Sequence, residues 1–258
     1  MMQNNIKETI ENSQMILVGL GEELDETLEI KKSDDYRQIE AKAENSRILP
    51  FVMRKMLKDR AEKKQEFYTS LFQILKDKNY FVVSVCMDGY LNEFAPEKER
   101  VVSPCGQFEK LQCSGACSEA LYDISEETEQ QIERFIQGEL KESDITEPVC
   151  PCCGKPLVFN NIQAEAYLES GYLEQWGKYT KWLQGTLNRN ICLIELGVGM
   201  KYPTVIRWPF EKTAFFNQKA KMYRVHSRLY QVTEELKEKA AGICENPENF
   251  VKELSKES

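Results

Sequence analysis

The chain has 258 residues, with 34 Lys and Arg against 42 Asp and Glu, so its formal net charge is −8. A hydrophobic content of 41% and a charged content of 29% describe an ordinary soluble globule and exclude wholesale disorder. The acidic balance speaks against nonspecific nucleic-acid binding, which needs a basic surface, and the single histidine excludes any mechanism or zinc site that needs two.

The opening MMQNNIKETIENSQ is polar and carries an amphipathic helix. The apolar run after it, Met15 to Leu20, is far too short to span a membrane. No membrane association is expected, and the chain reads as cytoplasmic. Met15 to Gly21 reads as a short buried strand running into a glycine turn. Residues 23 to 66 are charge-rich and helical. Leu49, Val52, Met53, Met56 and Leu57, then Phe67, Leu71, Phe72, Ile74 and Leu75, give helical spacing from Arg47 to Leu75. Within that stretch the basic run Lys55 to Lys64 reads as a solvated helix face. Tyr80 to Val85 is β-branched and apolar, a second buried strand. Trp176, Tyr179 and Trp182 sit at helical spacing and belong to a core. Asn188 to Gly197 forms a third strand ending at Gly197 and Gly199. Lys221 to His226 forms a fourth, and residues 228 to 241 are expected to be helical. Strands that end in glycine turns and alternate with helices predict a Rossmann-like parallel sheet covered by helices on both faces. Ligands in such sheets sit at the carboxyl ends of the strands.

Nine cysteines are odd for a cytosolic chain unless some hold metal. Cys113-Ser-Gly-Ala-Cys117 and Cys150-Pro-Cys-Cys153-Gly-Lys-Pro156 form the most specific signal. The second group is a knuckle with two thiolates at C-x-x-C spacing. Four thiolates make a closed tetrahedral zinc site, which points to a structural ion rather than a catalytic one. Cys113, Cys117, Cys150 and Cys153 are assigned as ligands, with Cys152 as a competitor. The expected organisation is a Rossmann-like domain at 1–106 and 166–258, with the helical insert at about 23–66 and a small zinc module at 107–165.

Several further residues have two readings. Cys105 beside Gly106 is a thiolate nucleophile or redox sensor if a neighbour lowers its pKa, and otherwise a buried thiol. Cys86 ends a buried strand. Asp88 orders a loop or meets a ribose. Gly197 and Gly199 form a tight turn or accept a ribose or phosphate. Glu195 lies inside an apolar strand, so it needs a partner, with Arg207 and Arg224 as candidates. His226 reads as a satisfied residue rather than a general base.

Tyr80 to Ser84 with Asp88, Gly106 through Leu111-Gln112-Cys113, the Cys150–Gly154 knuckle, Pro156 with Asn160, and above all Ile194-Glu-Leu-Gly-Val-Gly-Met200 with Pro203 and Trp208-Pro-Phe210 give the chain a family likeness. It resembles the sirtuins, and among them the macrodomain-linked bacterial branch. The resemblance implies an inserted zinc module and NAD-dependent lysine deacylation or ADP-ribosyl transfer, in that branch to a lipoyl-carrier protein. It places cofactor contacts at Gly19, Gly21, Asp88, Gly197 and Gly199, and puts Cys105 where the family keeps its base. The family's first turn is GAGxSxxSGIPxFR, whereas here Gly19-Leu-Gly21 runs into Glu22-Glu23-Leu24-Asp25. Each such carboxylate repels a diphosphate by about 1 kcal/mol at about 4 Å in water, and by more when partly buried. The expected outcome is a noncatalytic or altered sirtuin homologue with an eroded NAD site. The alternatives are an active ADP-ribosyltransferase, or a cysteine-based redox or acyl-carrier partner protein.

Overall fold

The computed structural model describes residues 2–256. Helix α1 (Met2–Asn12) leads into strand β1 (Met15–Leu20), all of whose residues are buried. Helices α2 (Glu26–Lys32), α3 (Asp34–Lys42) and α4 (Leu49–Leu75) form the charge-rich insert. Asp25 caps α2 and Ser33 caps α3, each accepting a backbone N–H from the first turn. Pro50 lies in the first turn of α4, where a missing N–H costs nothing.

Strand β2 (Asn79–Ser84), helix α5 (Tyr90–Phe94) and the two-residue strand β3 (Val101–Val102) complete one half of the sheet. The chain then leaves the sheet. Strands β4 (Gly106–Cys113) and β5 (Leu121–Tyr122), helix α6 (Glu126–Ile136) and strand β6 (Leu157–Asn161) build a small antiparallel sheet in the order β5-β4-β6. It returns through α7 (Leu173–Gln184), β7 (Ile191–Leu196), α8 (Arg207–Phe216), β8 (Ala220–Val225), β9 (Ala240–Ile243) and α9 (Pro247–Lys256). The main sheet has six parallel strands in the order β3-β2-β1-β7-β8-β9. Its strand order reverses between β1 and β7, so the loops after β1, β2 and β7 meet at one crevice, where such folds take ligands.

Strands β1 and β7 are buried along their whole length, as near-continuous apolar runs in a doubly covered parallel sheet should be. Trp176, Tyr179 and Trp182 of α7 pack around Phe81 of β2 and one another, in keeping with a core role. The basic face of α4 is paired within the chain. Lys55 meets Asp59, Lys58 meets Glu129, and Arg60 and Lys64 both meet Glu26.

Two segments differ from expectation. Residues 228 to 241 are not a helix: they hold a single 3-10 turn at Glu234–Leu236 and then enter β9, which pairs parallel to β8. The carbonyls that a helix would use are taken by arginines. Arg207 donates to the Leu229 and Gln231 carbonyls, and Arg224 donates to that of Gln231. Helix α9 follows, with Phe250, Val251 and Leu254 buried. No helix among the described residues is long and apolar enough to cross a membrane.

The charged pair inside the sheet is Glu195 and Arg224, which are register partners on β7 and β8. Arg224 grips Glu195 with Nε at 2.5 Å and the second amino group at 3.1 Å, and both side chains are essentially inaccessible. Arg207 turns instead to backbone carbonyls, Val198 among them. Removing one member of such a pair leaves a buried charge without compensation. Arg224→Met should therefore lower unfolding free energy by about 3–5 kcal/mol in a denaturant melt, whereas Glu195→Leu combined with Arg224→Met should recover much of the loss.

Candidate functional site

The glycines of the first turn serve close packing. A Cβ on Gly21 would lie 2.2 Å from Val198 Cα, and one on Gly19 would lie 2.4 Å from a methyl of Ile206. The β1 turn is thus pressed against the β7 loop, and side chains at 22, 23 and 25 enter the crevice between them. Glu22 reaches over and accepts three backbone N–H groups, from Gly199 at 2.7 Å, Lys201 at 2.9 Å and Tyr202 at 3.2 Å. Gly199 permits this approach, since a Cβ there would sit 3.0 Å from Glu22 Oε2. Gly197, with φ of +66°, turns the chain at the end of β7, and its N–H donates to the Val225 carbonyl.

Glu23 accepts the Ser227 N–H and lies 3.0 Å from His226 Nδ1. That nitrogen also faces the N–H groups of Arg228 and Leu229. Burial disfavours the charged ring and Glu23 favours it. Burial wins, the pKa falls below the ordinary value, and Nδ1 acts as an acceptor. His226 is a satisfied loop residue, as its isolation in the sequence implied.

Asp25 and Asp88 clasp the first two turns together. Asp25 accepts from Thr27 N in its own helix and from Met87 N across the crevice, at 3.0 and 3.2 Å. Asp88 accepts from Tyr90 N beside it and from Glu26 N across the crevice, at 3.1 and 3.2 Å. Burial, opposed only in part by these bonds, raises both carboxyls above the usual range, and for Asp88 the neighbouring Asp25 adds to the rise. Cys86 is buried and donates to the Gly21 carbonyl at 3.3 Å. Cys105 is buried too, and burial, with Glu22 and Asp25 nearby, pushes its thiol up to about 12. Lys201 alone pulls the other way and is outweighed, so the nucleophile reading of Cys105 has no support in its surroundings.

The first turn therefore brings together Gly19, Gly21, Gly197, Gly199, Asp88 and Cys105, but with carboxylates between them. Asn160 on β6 packs against Gly106, where a Cβ would lie 2.2 Å from the Asn160 carbonyl oxygen, and its amide donates to Gln112 Oε1 and to the Leu168 carbonyl. A cavity of about 790 Å³ runs along β4 with Asp88, Gln107 and Asn160 among its walls. Sequence reasoning saw the acids at 22, 23 and 25 but not their partners. The backbone amides of 199–202, 87 and 227 carry no side-chain signature.

In the small sheet, Cys113 ends β4, and Cys117, Cys150 and Cys153 stand on the turns beside it. All four sulfurs lie within 4.8 Å of one another, with Cys113 to Cys153 at 3.4 Å and Cys117 to Cys150 at 3.5 Å. Tetrahedral Zn–S bonds of about 2.3 Å put sulfurs about 3.8 Å apart, so the four could hold one such ion. Gly154, with φ of +72°, donates its N–H to the Cys150 carbonyl and closes the knuckle. Cys152 is exposed and points to the Tyr122 hydroxyl at 3.9 Å, outside the four. Purified protein is expected to carry one zinc per chain by elemental analysis. Cys153→Ser should lose it and destabilise the module, because structural metal binding is coupled to folding. Cys152→Ser should keep the full equivalent.

The clasp also sets a pH dependence. Burial raises both carboxyls, and Asp88, pushed up to about 8, holds a proton in the folded chain that the unfolded chain releases near pH 4. Folded pKa values above unfolded ones stabilise at low pH, and that contribution is lost as pH rises through the folded value, about 8 for Asp88. Thermal melts should show Tm falling between pH 5 and 8 and levelling off above. A Tm that is flat or rising across that window would contradict the assignment.

No protein-family model matches the chain. A protein ADP-ribosyltransferase of Staphylococcus aureus is 20% identical to it over 185 residues, 69% of this chain and 57% of that protein. A probable bifunctional ADP-ribose hydrolase/ADP-ribosyltransferase of Fusarium oxysporum f. sp. cubense is 28% identical over 137 residues, 51% of this chain and 23% of that protein. The chain thus spans little more than half of the first relative and about a quarter of the second. Among solved structures, Sir2Tm bound to a propionylated peptide matches with a TM-score of 0.59 at 13% identity, over 100% of this chain and 98% of that one. A Sir2 complex with a p53 peptide and NAD+ matches with the same score, identity and coverage. The parallel sheet, the crevice at its strand ends and the inserted four-cysteine module are those of the sirtuin fold, and in architecture the chain is sirtuin-like.

Proposed function

We propose that this chain is a sirtuin-like protein with structural zinc in its four-cysteine module and a crevice that does not run NAD-dependent lysine deacylation. It acts by binding rather than by turnover, in the cytoplasm, with neither nucleic acid nor membrane as a partner. The observation that carries this reading is the state of Cys105. The resemblance puts the family's base there, and the residue is a buried thiol raised to about 12. A general base works when its pKa lies near the operating pH and it reaches the proton it takes. At neutral pH this thiol is protonated, and Glu22 and Asp25 add to the rise more than Lys201 offsets it. The remaining candidates are occupied: Asp88 holds two backbone N–H groups, and His226 Nδ1 accepts from the loop after β8. The same burial weighs against a redox or acyl-carrier role for Cys105.

A second reading is ADP-ribosyl transfer from NAD to a protein, such as a lipoyl-carrier protein. The name of the S. aureus relative favours it. Gly19, Gly21, Asp88, Gly197 and Gly199 would then border the cofactor, with the acids displaced from between them.

Incubation with NAD and an acetyl-lysine peptide should give no deacetylated product by mass spectrometry. General-base catalysis is worth about 10²–10⁴-fold, so restoring a base alone does not make an active enzyme if the cofactor cannot seat. Cys105→His is therefore expected to remain inactive. Robust NAD-dependent turnover by that single variant would show that the acids of the first turn do not keep the cofactor out, and that the missing base alone silences the crevice. Transfer of label from NAD to a lipoyl-carrier protein by the unmodified chain would establish the second reading in its place.

A further inference from the structure

Helix α8 is apolar on two sides. Phe210 and Ala214 face the sheet and are fully buried. Trp208, Phe215 and Phe216 face outward, 52%, 47% and 67% exposed, and the last two rings meet edge to face at 5.1 Å. With Lys212 between them they keep the i, i+4, i+7, i+8 spacing of one helical stripe. A surface helix carries polar residues on its outer stripe, whereas one that is hydrophobic all round is covered all round. Asn217, at the end of α8, donates to the Thr186 and Arg189 carbonyls and so sets Leu187, 72% exposed, beside the same end. The aromatics and Leu187 leave roughly 300–400 Å² of apolar surface open, a size of patch that is often functional.

The patch is fixed in place and ringed by cations. Lys239 donates to the carbonyls of Ala214, Phe215 and Asn217 and holds the last turn of the helix. Lys212, Lys219 and Arg189 are exposed around the aromatics, and none pairs with a carboxylate among the described residues. The one acid of α8, Glu211, turns inward to Arg224. Glu234, on the 3-10 turn that packs against α8, is held by Lys237. A chain of net charge −8 thus presents an aromatic centre with a basic rim on this face.

We propose that the outer face of α8 docks an acidic amphipathic helix of a partner protein. The partner's apolar stripe covers Trp208, Phe215 and Phe216, and its carboxylates meet Lys212, Lys219 and Arg189. Charge selects this occupant over a second copy of the chain. In a two-fold dimer the same patch lies on both sides, so a copy would set these cations near their own images. The area also falls well short of the roughly 800 Å² that each partner gives to a stable interface, which suits a transient complex. An anionic bilayer is the poorer match, because it takes clusters of about four to eight cations and the rest of this chain is acidic. The surface uses none of the crevice residues, and it stands whether or not the crevice turns over NAD.

The test is titration of the full chain with two synthetic helical peptides that share a leucine stripe and carry either glutamate or lysine elsewhere, followed by tryptophan emission. The glutamate peptide should bind with a Kd of about 100 µM or below at low salt, shift the emission to the blue as Trp208 leaves water, and weaken as salt rises. The lysine peptide should bind at least about tenfold more weakly. Phe216→Ser should weaken the glutamate peptide about tenfold or more, as loss of a central aromatic does, and Lys212→Glu about threefold or more. If Phe216→Ser melts early, Lys212→Glu alone decides. Equal binding of both peptides, no binding of the glutamate peptide, or binding that both variants leave intact would overturn the proposal. So would a dimer in sedimentation velocity, or sedimentation with anionic phosphatidylglycerol vesicles, that Phe216→Ser abolishes. The first would assign the face to a second copy, and the second to a membrane.

Discussion

At the carboxyl end of a parallel sheet the backbone N–H groups of several loops point into one crevice, and each must find an acceptor. An unpaired buried polar group costs as much as a lost hydrogen bond, so the loops cannot simply be left facing one another. In this chain the acceptors are carboxylates from the turn after β1. Glu22 serves the loop after β7, Glu23 the loop after β8, and Asp25 the loop after β2. Asp88 returns the favour to α2. The close approach forced by Gly21 against Val198 makes these contacts reachable, and the contacts in turn fix how the four loops sit.

The electrostatic consequences follow from that arrangement. Carboxylates crowded into a desolvated crevice raise one another's pKa and that of any thiol beside them. Cys86 and Cys105 both rise for this reason, with burial as the larger cause. A crevice organised around its own anions is thus poor at ionising a nucleophile, whatever residue stands at position 105. In the four-cysteine module the directions are mixed, with Cys117 raised by hydrogen bonds from the neighbouring thiols and Cys113 lowered. There backbone N–H groups turn towards the sulfurs, and those of Cys117 and Gly115 bring the Cys113 thiol down.

Much of the scaffold was legible in the sequence because its signals are local. Buried parallel strands read as short apolar runs, and β1, β2, β7 and β8 each fall within two or three residues of the expected segment. Cysteine spacing brought the four sulfurs together before any geometry was known. Residues 228 to 241 were misread because their conformation is set from a distance. Arg207 and Arg224 take the carbonyls of Leu229 and Gln231, and Gly242 must pass against the Tyr230 carbonyl, where a Cβ would lie at 2.1 Å. Helix α9 was missed although Phe250, Val251 and Leu254 have helical spacing, since a ten-residue run gives only a weak periodic signal.

The acids at 22, 23 and 25 were visible but understood from one side only. Beside a diphosphate they are repulsive, and that inference is sound electrostatics. It assumes that the amides around them are reserved for the ligand. Once those amides are counted as donors that need acceptors with or without a ligand, the same carboxylates become structural. Two of them also differ in kind. Asp25 is a short side chain held on both oxygens and buried, so it is part of the fold. Glu22 is longer, half-exposed, and bound wholly through the loop it covers. The Glu22 side chain makes no bond within its own turn and answers only to the amides of the loop it covers, so what it contributes is the join between those two loops.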